Sequence, residues 1–271
     1  MNEGSILITG ATDGIGFELA KKLSSNSNKI LLHGRNIEKC ERAIEKIKLS
    51  TGNDNLIPLP FDLESIDEIH KGVTEIANQH IDLKIIINNA GIFTKNYNVT
   101  KDNIEKMFMV NHFSQFILIQ ELLKVEKLDL KRIVNTGSLA HLHVKFDVSH
   151  IVDSTNFNPY KVYGASKLYC LMHANLLSEK LKHRGIDVNC YDPEFINTKL
   201  SREGWEIPPN GTLKNAINTV ISILNNNFET GKYISNEKVI DGAKGSSNDH
   251  YIQELWNYNC LLYERKINER K

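Results

Sequence analysis

The stretch Ser5-Ile6-Leu7-Ile8-Thr9-Gly10-Ala11-Thr12-Asp13-Gly14-Ile15-Gly16 starts as an apolar, β-branched run and breaks it with three glycines. A run this short, closed at once by glycine, reads as a buried strand. Glycines at 10, 14 and 16 permit a tight turn, leave room for a pyrophosphate against the backbone, and let the next helix pack closely on the strand. That helix is expected from about residue 14. Its free N–H groups and positive dipole end then face the same spot. An ordinary turn uses the same residue types; the placement between first strand and first helix selects the phosphate-binding reading.

Outward from that stretch the alternation repeats. Short β-branched runs at 30–33, 56–60, 84–88, 132–136, 186–191 and 232–235 are separated by amphipathic stretches. These lie at 37–48, 65–78, through Val110 and Phe116 to Leu123, at 160–182 and 213–224, with 251–263 closing the chain. Strands joined through helices require right-handed crossovers and a mainly parallel sheet covered on both faces. The fold class expected is α/β, a single-domain Rossmann-type doubly wound parallel sheet spanning residues 1–271.

Composition narrows the partners. The chain has 271 residues, 41% hydrophobic and 24% charged, enough for one large α/β domain. Lys+Arg and Asp+Glu both number 33, so there is no basic excess and no nucleic-acid partner is expected. The closing residues 264–271 are charged but mixed in sign, as in a solvated helix end. Cys40, Cys170, Cys190 and Cys260 are scattered, which suits a reducing compartment. No apolar run approaches the roughly 18 residues of a membrane span, and no basic leader precedes the first strand. The expectation is a cytoplasmic protein without a membrane anchor.

The chemistry centres on Tyr163-Gly164-Ala165-Ser166-Lys167. If the run opens a helix, the phenol and the ammonium share a face. A free tyrosine titrates near pH ~10, and a neighbouring cation favours its charged form, bringing proton transfer nearer neutral pH. The same pair on an ordinary amphipathic helix is a half-buried ring beside a solvated stem, so the other motifs must carry the assignment.

Together these motifs resemble the short-chain dehydrogenase/reductase family. Its glycine pattern is matched by Thr9 to Gly16, its Asn-Asn-Ala-Gly by Asn88-Asn89-Ala90-Gly91, its helix asparagine by Asn111, its serine by Ser138, and its Tyr-x-x-x-Lys by Tyr163 and Lys167. Val110-Asn111-His112, Ser138-Leu139-Ala140-His141 and Thr230-Gly231-Lys232-Tyr233 look most like the retinol-dehydrogenase-like branch. The resemblance implies a catalytic set of Asn111, Ser138, Tyr163 and Lys167. Tyr163 would pass a proton to or from the substrate oxygen, Ser138 would hydrogen-bond that oxygen, and Lys167 would lower the pKa of Tyr163 and hold the nicotinamide ribose. Asn111 would hold a water linking Lys167 to solvent; a satisfied core asparagine is the plainer alternative.

The resemblance also implies cofactor contacts from Gly10, Thr12, Gly14, Ile15, Gly16, Arg35, Asn36, Asp62, Leu63, Asn89, Ala90, Gly91, Tyr163, Lys167 and Thr198. Asp62 could instead cap the helix ahead of Ile66. Cofactor choice turns on the end of the second strand, where an acidic residue grips the ribose 2′-hydroxyl of NAD and an arginine suits the 2′-phosphate of NADP. His33-Gly34-Arg35-Asn36 carries no carboxylate, so Arg35 argues for NADP over NAD. Asp13 and Glu194 argue the other way, Glu194 standing in Pro193-Glu194 where the family has Pro-Gly.

Substrate selection is expected in loops near 141–160 and 200–210, with Phe146, Phe157 and Trp205 suited to an apolar substrate or to packing the loops down. His141 and His143 alternate as a metal pair does, but no carboxylate or cysteine partner lies nearby, so no metal is expected. Leu168, Leu171, Leu176 and Leu177 fit the core or the helix seam of a homodimer equally well. The reading is an oxidoreductase, an NAD(P)-dependent short-chain dehydrogenase acting on a small-molecule alcohol or carbonyl. The alternative is a catalytically silent nucleotide-binding sensor or scaffold on the same fold.

Overall fold

The computed structural model describes residues 4–25, 28–79, 81–126, 128–151, 154–205 and 208–270. In chain order the elements are β1 (Ser5–Ile8), α1 (Gly14–Ser24), β2 (Lys29–Gly34), α2 (Ile37–Thr51), β3 (Leu56–Pro60), α3 (Ile66–Asn78) and β4 (Leu83–Asn88). There follow α4 (Lys106–Phe108), α5 (Ser114–Leu122), β5 (Arg132–Thr136), α6 (Pro159–Lys180), β6 (Asp187–Asp192), α7 (Lys199–Gly204), α8 (Leu213–Leu224), β7 (Tyr233–Ser235), β8 (Lys238–Val239) and α9 (Asp249–Asn268). Short polar side chains start the helices. Asn36 accepts from Lys39 N–H, Ser65 from Glu68 N–H, and Asn158, just before Pro159, from Tyr160 and Lys161 N–H. Each satisfies N–H groups that the first turn leaves without a partner.

Among the described residues the sheet has eight strands in the order β3-β2-β1-β4-β5-β6-β7-β8. All neighbours are parallel except β7 with β8, an antiparallel edge strand that sequence patterning did not reveal. The order runs outward in opposite directions from β1 and β4, which opens a crevice at their carboxyl ends. Alternation along the strands divides the core. Leu7, Leu31, Ile86 and Ile133 face α3, α5 and α6, whereas Ile6, Ile8, Ile30, Leu32, Ile87 and Val134 face α1, α2 and α8. Both sets are buried, as expected for a sheet covered on two sides.

The helix expected through Val110 and Phe116 is broken into α4, a π-helical turn at Met109–Phe113, and α5. At its far side α9 lies on α5 and α6. Trp256 packs edge-on to Phe116 with centroids 5.3 Å apart, Asn259 Nδ2 meets His112 Nε2 at 2.9 Å, and Tyr263 donates to Glu121 (2.8 Å). Helix α9 thus covers His112, Phe116 and Glu121, and His173 of α6. Leu168, Leu171 and Leu177 are buried in the core, and Leu176 is half-buried against it. No helix among the described residues is long and apolar enough to cross a membrane.

Candidate active site

The loop after β1 is fixed from two sides. The Thr9 hydroxyl accepts from the N–H groups of Asn89 and Ala90 (both 3.0 Å), tying it to the loop after β4. Gly10 N–H donates to Nδ1 of His33 (3.1 Å), so His33 Nε2 carries the proton and donates to the Phe61 carbonyl (3.0 Å). Burial pushes the His33 pKa down to about 4, which keeps this neutral tautomer at neutral pH. Gly10 and Gly14 adopt positive φ, +65° and +57°. A Cβ on Gly16 would lie 2.4 Å from the Gly10 carbonyl oxygen, so α1 packs this close only with glycine there. Asp13 caps α1, its carboxylate accepting from Gly14 N–H (2.7 Å).

A cleft of about 870 Å³ runs along the carboxyl ends of the strands. At the end of the cleft next to β2 and β3, Leu63 is buried and Asp62 accepts from Glu64 N–H (3.0 Å). Asp62 does not cap α3; Ser65 does. Arg35 reaches Glu64 at 3.5 Å, and Lys106 reaches the same carboxylate oxygen at 2.9 Å.

At the other end stand the acid/base candidates. Gly164 lets α6 approach the turn after β5, since a Cβ there would lie 2.8 Å from the Ala140 carbonyl oxygen. That contact brings Ser138 beside Tyr163. Lys167 Nζ donates to the Thr136 carbonyl (3.0 Å) and sits 5.8 Å from the Tyr163 ring centroid. Burial raises the Tyr163 pKa, and Lys167 together with a hydrogen bond from Ser138 only partly offsets it. Lys167 thus lowers the phenol's pKa as expected, and burial outweighs it, so the net shift is upward. The pair is four residues apart as read, but the ring is 6% exposed, and desolvation of the phenolate outweighs the cation.

Asn111 is fully buried, and its side chain serves the backbone. Oδ1 accepts from Ile92 N–H (2.7 Å), and Nδ2 donates to the Ile92 carbonyl and to Ser166 Oγ (both 3.0 Å). Its own carbonyl accepts from Gln115 Nε2 (2.7 Å) and Cys170 Sγ (3.0 Å).

The turn after β6 completes the cleft. Asp192, 2% exposed, accepts from Leu139 N–H, Glu194 N–H and Ser235 Oγ, each at 3.0 Å. It joins the ends of β5, β6 and β7. Glu194 has φ +65°, the conformation for which glycine is the usual choice, and its carboxylate accepts from Asn215 Nδ2 (3.1 Å). Thr198 caps α7. Trp205, at the end of α7, packs against Phe93 (4.7 Å), Tyr163 (5.1 Å) and Tyr160 (5.7 Å), and the Tyr160 hydroxyl donates to the Gly204 carbonyl (2.9 Å).

Of the residues read from the sequence, Gly10, Thr12, Gly14, Ile15, Arg35, Asp62, Leu63, Asn89, Ala90, Gly91, Ser138, Tyr163, Lys167 and Thr198 all line this one cleft. Gly16, Asn36 and Asn111 lie just behind its lining, Gly16 packed against the Gly10 carbonyl, Asn36 capping α2, and Asn111 bonded to Ile92 and Ser166. Of the aromatics, Trp205 lines the cleft, whereas Phe146 stacks on Tyr251 (5.0 Å) and Phe157 packs on Tyr97 (5.6 Å). Within the two expected substrate loops, residues 152–153 and 206–207 lie outside the described residues. Both nitrogens of His141 are engaged, Nδ1 by the Ser138 carbonyl and Nε2 by Ala243 N–H, which leaves no lone pair for a metal. Phe93, Tyr160, Glu64, Lys106 and Asp192 went unread. Only Phe93 carried a local signal, its place two residues after Gly91.

A glycine loop between first strand and first helix, with a tyrosine, a lysine and a serine at the far end of one cleft, is the layout of a nucleotide-binding α/β fold. The profile described as short chain dehydrogenase matches residues 5–207, and the chain belongs to the short-chain dehydrogenase/reductase family. It is 29% identical over 287 residues to short-chain dehydrogenase TIC 32 A, chloroplastic, of Brassica napus, with 95% of this chain and 88% of that one covered. Human retinol dehydrogenase 13 is 33% identical over 201 residues, covering 73% of this chain and 60% of the relative. Among solved structures, the NADPH-bound carbonyl reductase from chicken fatty liver superposes with a TM-score of 0.69 at 22% identity, covering 89% of this chain and all of that one (100%). A 4-hydroxyisoleucine dehydrogenase complexed with NADH and succinate superposes with a TM-score of 0.67 at 23% identity, covering 88% of this chain and 98% of the other. The fold is thus shared by users of either nucleotide.

Proposed function

We propose that the protein is an NADP(H)-dependent oxidoreductase that moves a hydride between the nicotinamide and a secondary alcohol or ketone, or an aldehyde. The observation that carries this reading is the convergence of Ser138, Tyr163 and Lys167 on one wall of the cleft that also contains the glycine loop. The loop fits a dinucleotide. Gly14 faces open space, with nothing within 4 Å of a Cβ built there, and the start of α1 points its N–H groups into the same region. Arg35 at the end of β2, with no carboxylate on that strand end, supports the 2′-phosphate form. Asp13 is taken up in capping α1, and the Glu194 carboxylate bonds Asn215.

The nicotinamide, when bound, gives or receives the hydride. Everything else falls to side chains. Burial keeps the Tyr163 phenol protonated, ready to donate its proton to the oxygen of a carbonyl as that carbon is reduced. The Ser138 hydroxyl donates to the same oxygen and stabilises charge that develops on it. Lys167, anchored to the Thr136 carbonyl, stabilises the phenolate that remains. Oxidation of an alcohol runs these transfers backwards.

Tyr163→Phe should leave NADPH affinity within about twofold and lower turnover by ~10³-fold or more with a panel of ketones and aldehydes, in line with loss of a general acid. Retained turnover in that variant sinks the mechanism. NADPH binding by the wild-type protein with no turnover on any of the panel would instead favour the silent sensor or scaffold. The four cysteines, all free, support a reducing compartment for this chemistry.

A further inference from the structure

We propose that Glu64 and Lys106 act as a pair to set how strongly the cleft prefers a 2′-phosphorylated nicotinamide nucleotide over the unphosphorylated one, working through Arg35. The proposal rests on the cofactor reading above. The three residues come from separate places: Arg35 from the turn after β2, Glu64 from the loop after β3, Lys106 from the first position of α4. Arg35 Nη2 lies 3.5 Å from Glu64 Oε1, and Lys106 Nζ lies 2.9 Å from that same oxygen. All three line the same cleft, with Arg35 the most exposed at 55% and Glu64 the least at 19%.

A carboxylate this close to Arg35 competes with an incoming phosphate dianion for the guanidinium and repels it directly. Lys106 opposes both effects. It sits closer to the shared oxygen than Arg35 does, neutralises the carboxylate, and leaves most of the five donors of Arg35 free to fork onto a phosphate. With all three side chains the local formal charge is +1. Asp62, bonded to Glu64 N–H, and Asp13, bonded to Gly14 N–H, keep their charges and are the same background in every variant compared below. An unphosphorylated ribose presents neutral hydroxyls at this place and feels little of the difference. Glu64 is thus a brake on phosphate recognition, and Lys106 is what releases it.

The test is a set of nicotinamide-fluorescence titrations with NADPH and, separately, NADH at one low ionic strength. The proteins are wild type, Glu64→Gln, Lys106→Met, the double variant and Arg35→Gln. A carboxylate acting on a dianion several ångströms away through water implies about a fivefold to tenfold effect. Glu64→Gln should tighten NADPH by that factor and change NADH by less than about twofold. Lys106→Met should weaken NADPH similarly, and in the Glu64→Gln background the same change should cost less than about twofold.

Equal shifts for both nucleotides in Glu64→Gln overturn the proposal. So does an undiminished cost of Lys106→Met in the double variant, which would mean that Lys106 grips the phosphate itself. Arg35→Gln separates the underlying reading. If it leaves NADPH binding unchanged, or if the wild type binds neither nucleotide, the cofactor assignment fails and this proposal falls with it.

Discussion

Acidification from pH 7 to pH 5 should cost this protein several kcal/mol of stability, and the buried histidines say why. His33 and His173 are buried, with pKa values pushed down to about 4 and about 3, and His112 is also held well below the usual value, in each case chiefly by desolvation of the charged ring. Their folded pKa values lie below the unfolded value of about 6.5. Between the two, the unfolded chain binds more protons, so stability is lost as pH falls below about 6.5, until the folded groups titrate near 4 and 3. At pH 5 each such ring favours the unfolded chain by RT ln(1 + 10^1.5), about 2 kcal/mol. His33 and His173 together then remove about 4 kcal/mol, a large share of the ~5–15 kcal/mol of a typical domain. Asp192 and Glu105, whose pKa values are raised by burial, oppose this as pH falls, and His112 adds to it, so about 4 kcal/mol is the share of His33 and His173 alone.

The assay is urea unfolding at pH 7 and pH 5, on wild type and on His173→Phe. Among the described residues His173 has no hydrogen-bond partner at either ring nitrogen, and it packs against Phe116 and Trp256. Phenylalanine therefore fits its surroundings and removes one proton-binding site from the unfolded chain. The pH-dependent loss should shrink by about 2 kcal/mol in the variant. A wild-type loss under ~1 kcal/mol, or an equal loss in both proteins, would refute the linkage.

Three further outcomes follow from single contacts. Gly16→Ala forces a Cβ to 2.4 Å from the Gly10 carbonyl and should destabilise by about 1–3 kcal/mol while weakening NADPH, read by thermal melts and titration. Asp192→Asn removes a charge whose field raises the Tyr163 pKa, so the alkaline limb of the pH–kcat/KM profile should move to lower pH; an unmoved limb with lowered rate would mean that Asp192 only braces the loop. Trp205→Ala opens the ring cluster formed with Phe93 and Tyr160, and should raise KM for bulky aromatic carbonyls roughly tenfold while leaving short aliphatic aldehydes within about twofold. An equal change for both substrate sizes would remove Trp205 from specificity.

What the sequence determined by itself is what short-range order encodes. Residues 5–16 state a strand, a phosphate-sized turn and a helix start because each depends on neighbours within a few positions: β-branching, glycine at positive φ, aspartate at the cap. Strand and helix alternation then leaves few topologies, since parallel strands must cross over in one hand. Tyr163 and Lys167 share a face because a helix repeats every 3.6 residues.

The tertiary structure decided whatever depends on groups distant in the chain. Lys167 alone argued for a lowered Tyr163 pKa, yet burial under Phe93 and Trp205 reverses the sign. Asn111 read as a candidate relay, and only the structure gives its partners: Ile92 and Ser166 at the side chain, Gln115 and Cys170 at the carbonyl. Helix α9 could not be assigned to the face of α5 and α6 from an amphipathic pattern, because periodicity names an apolar face without naming what it meets. The Arg35, Glu64 and Lys106 cluster was likewise illegible. Charges far apart in sequence carry no mark of their pairing, and only the lateral pairing of β2 with β3 and the return of the chain after β4 to α4 bring Arg35, Glu64 and Lys106 together.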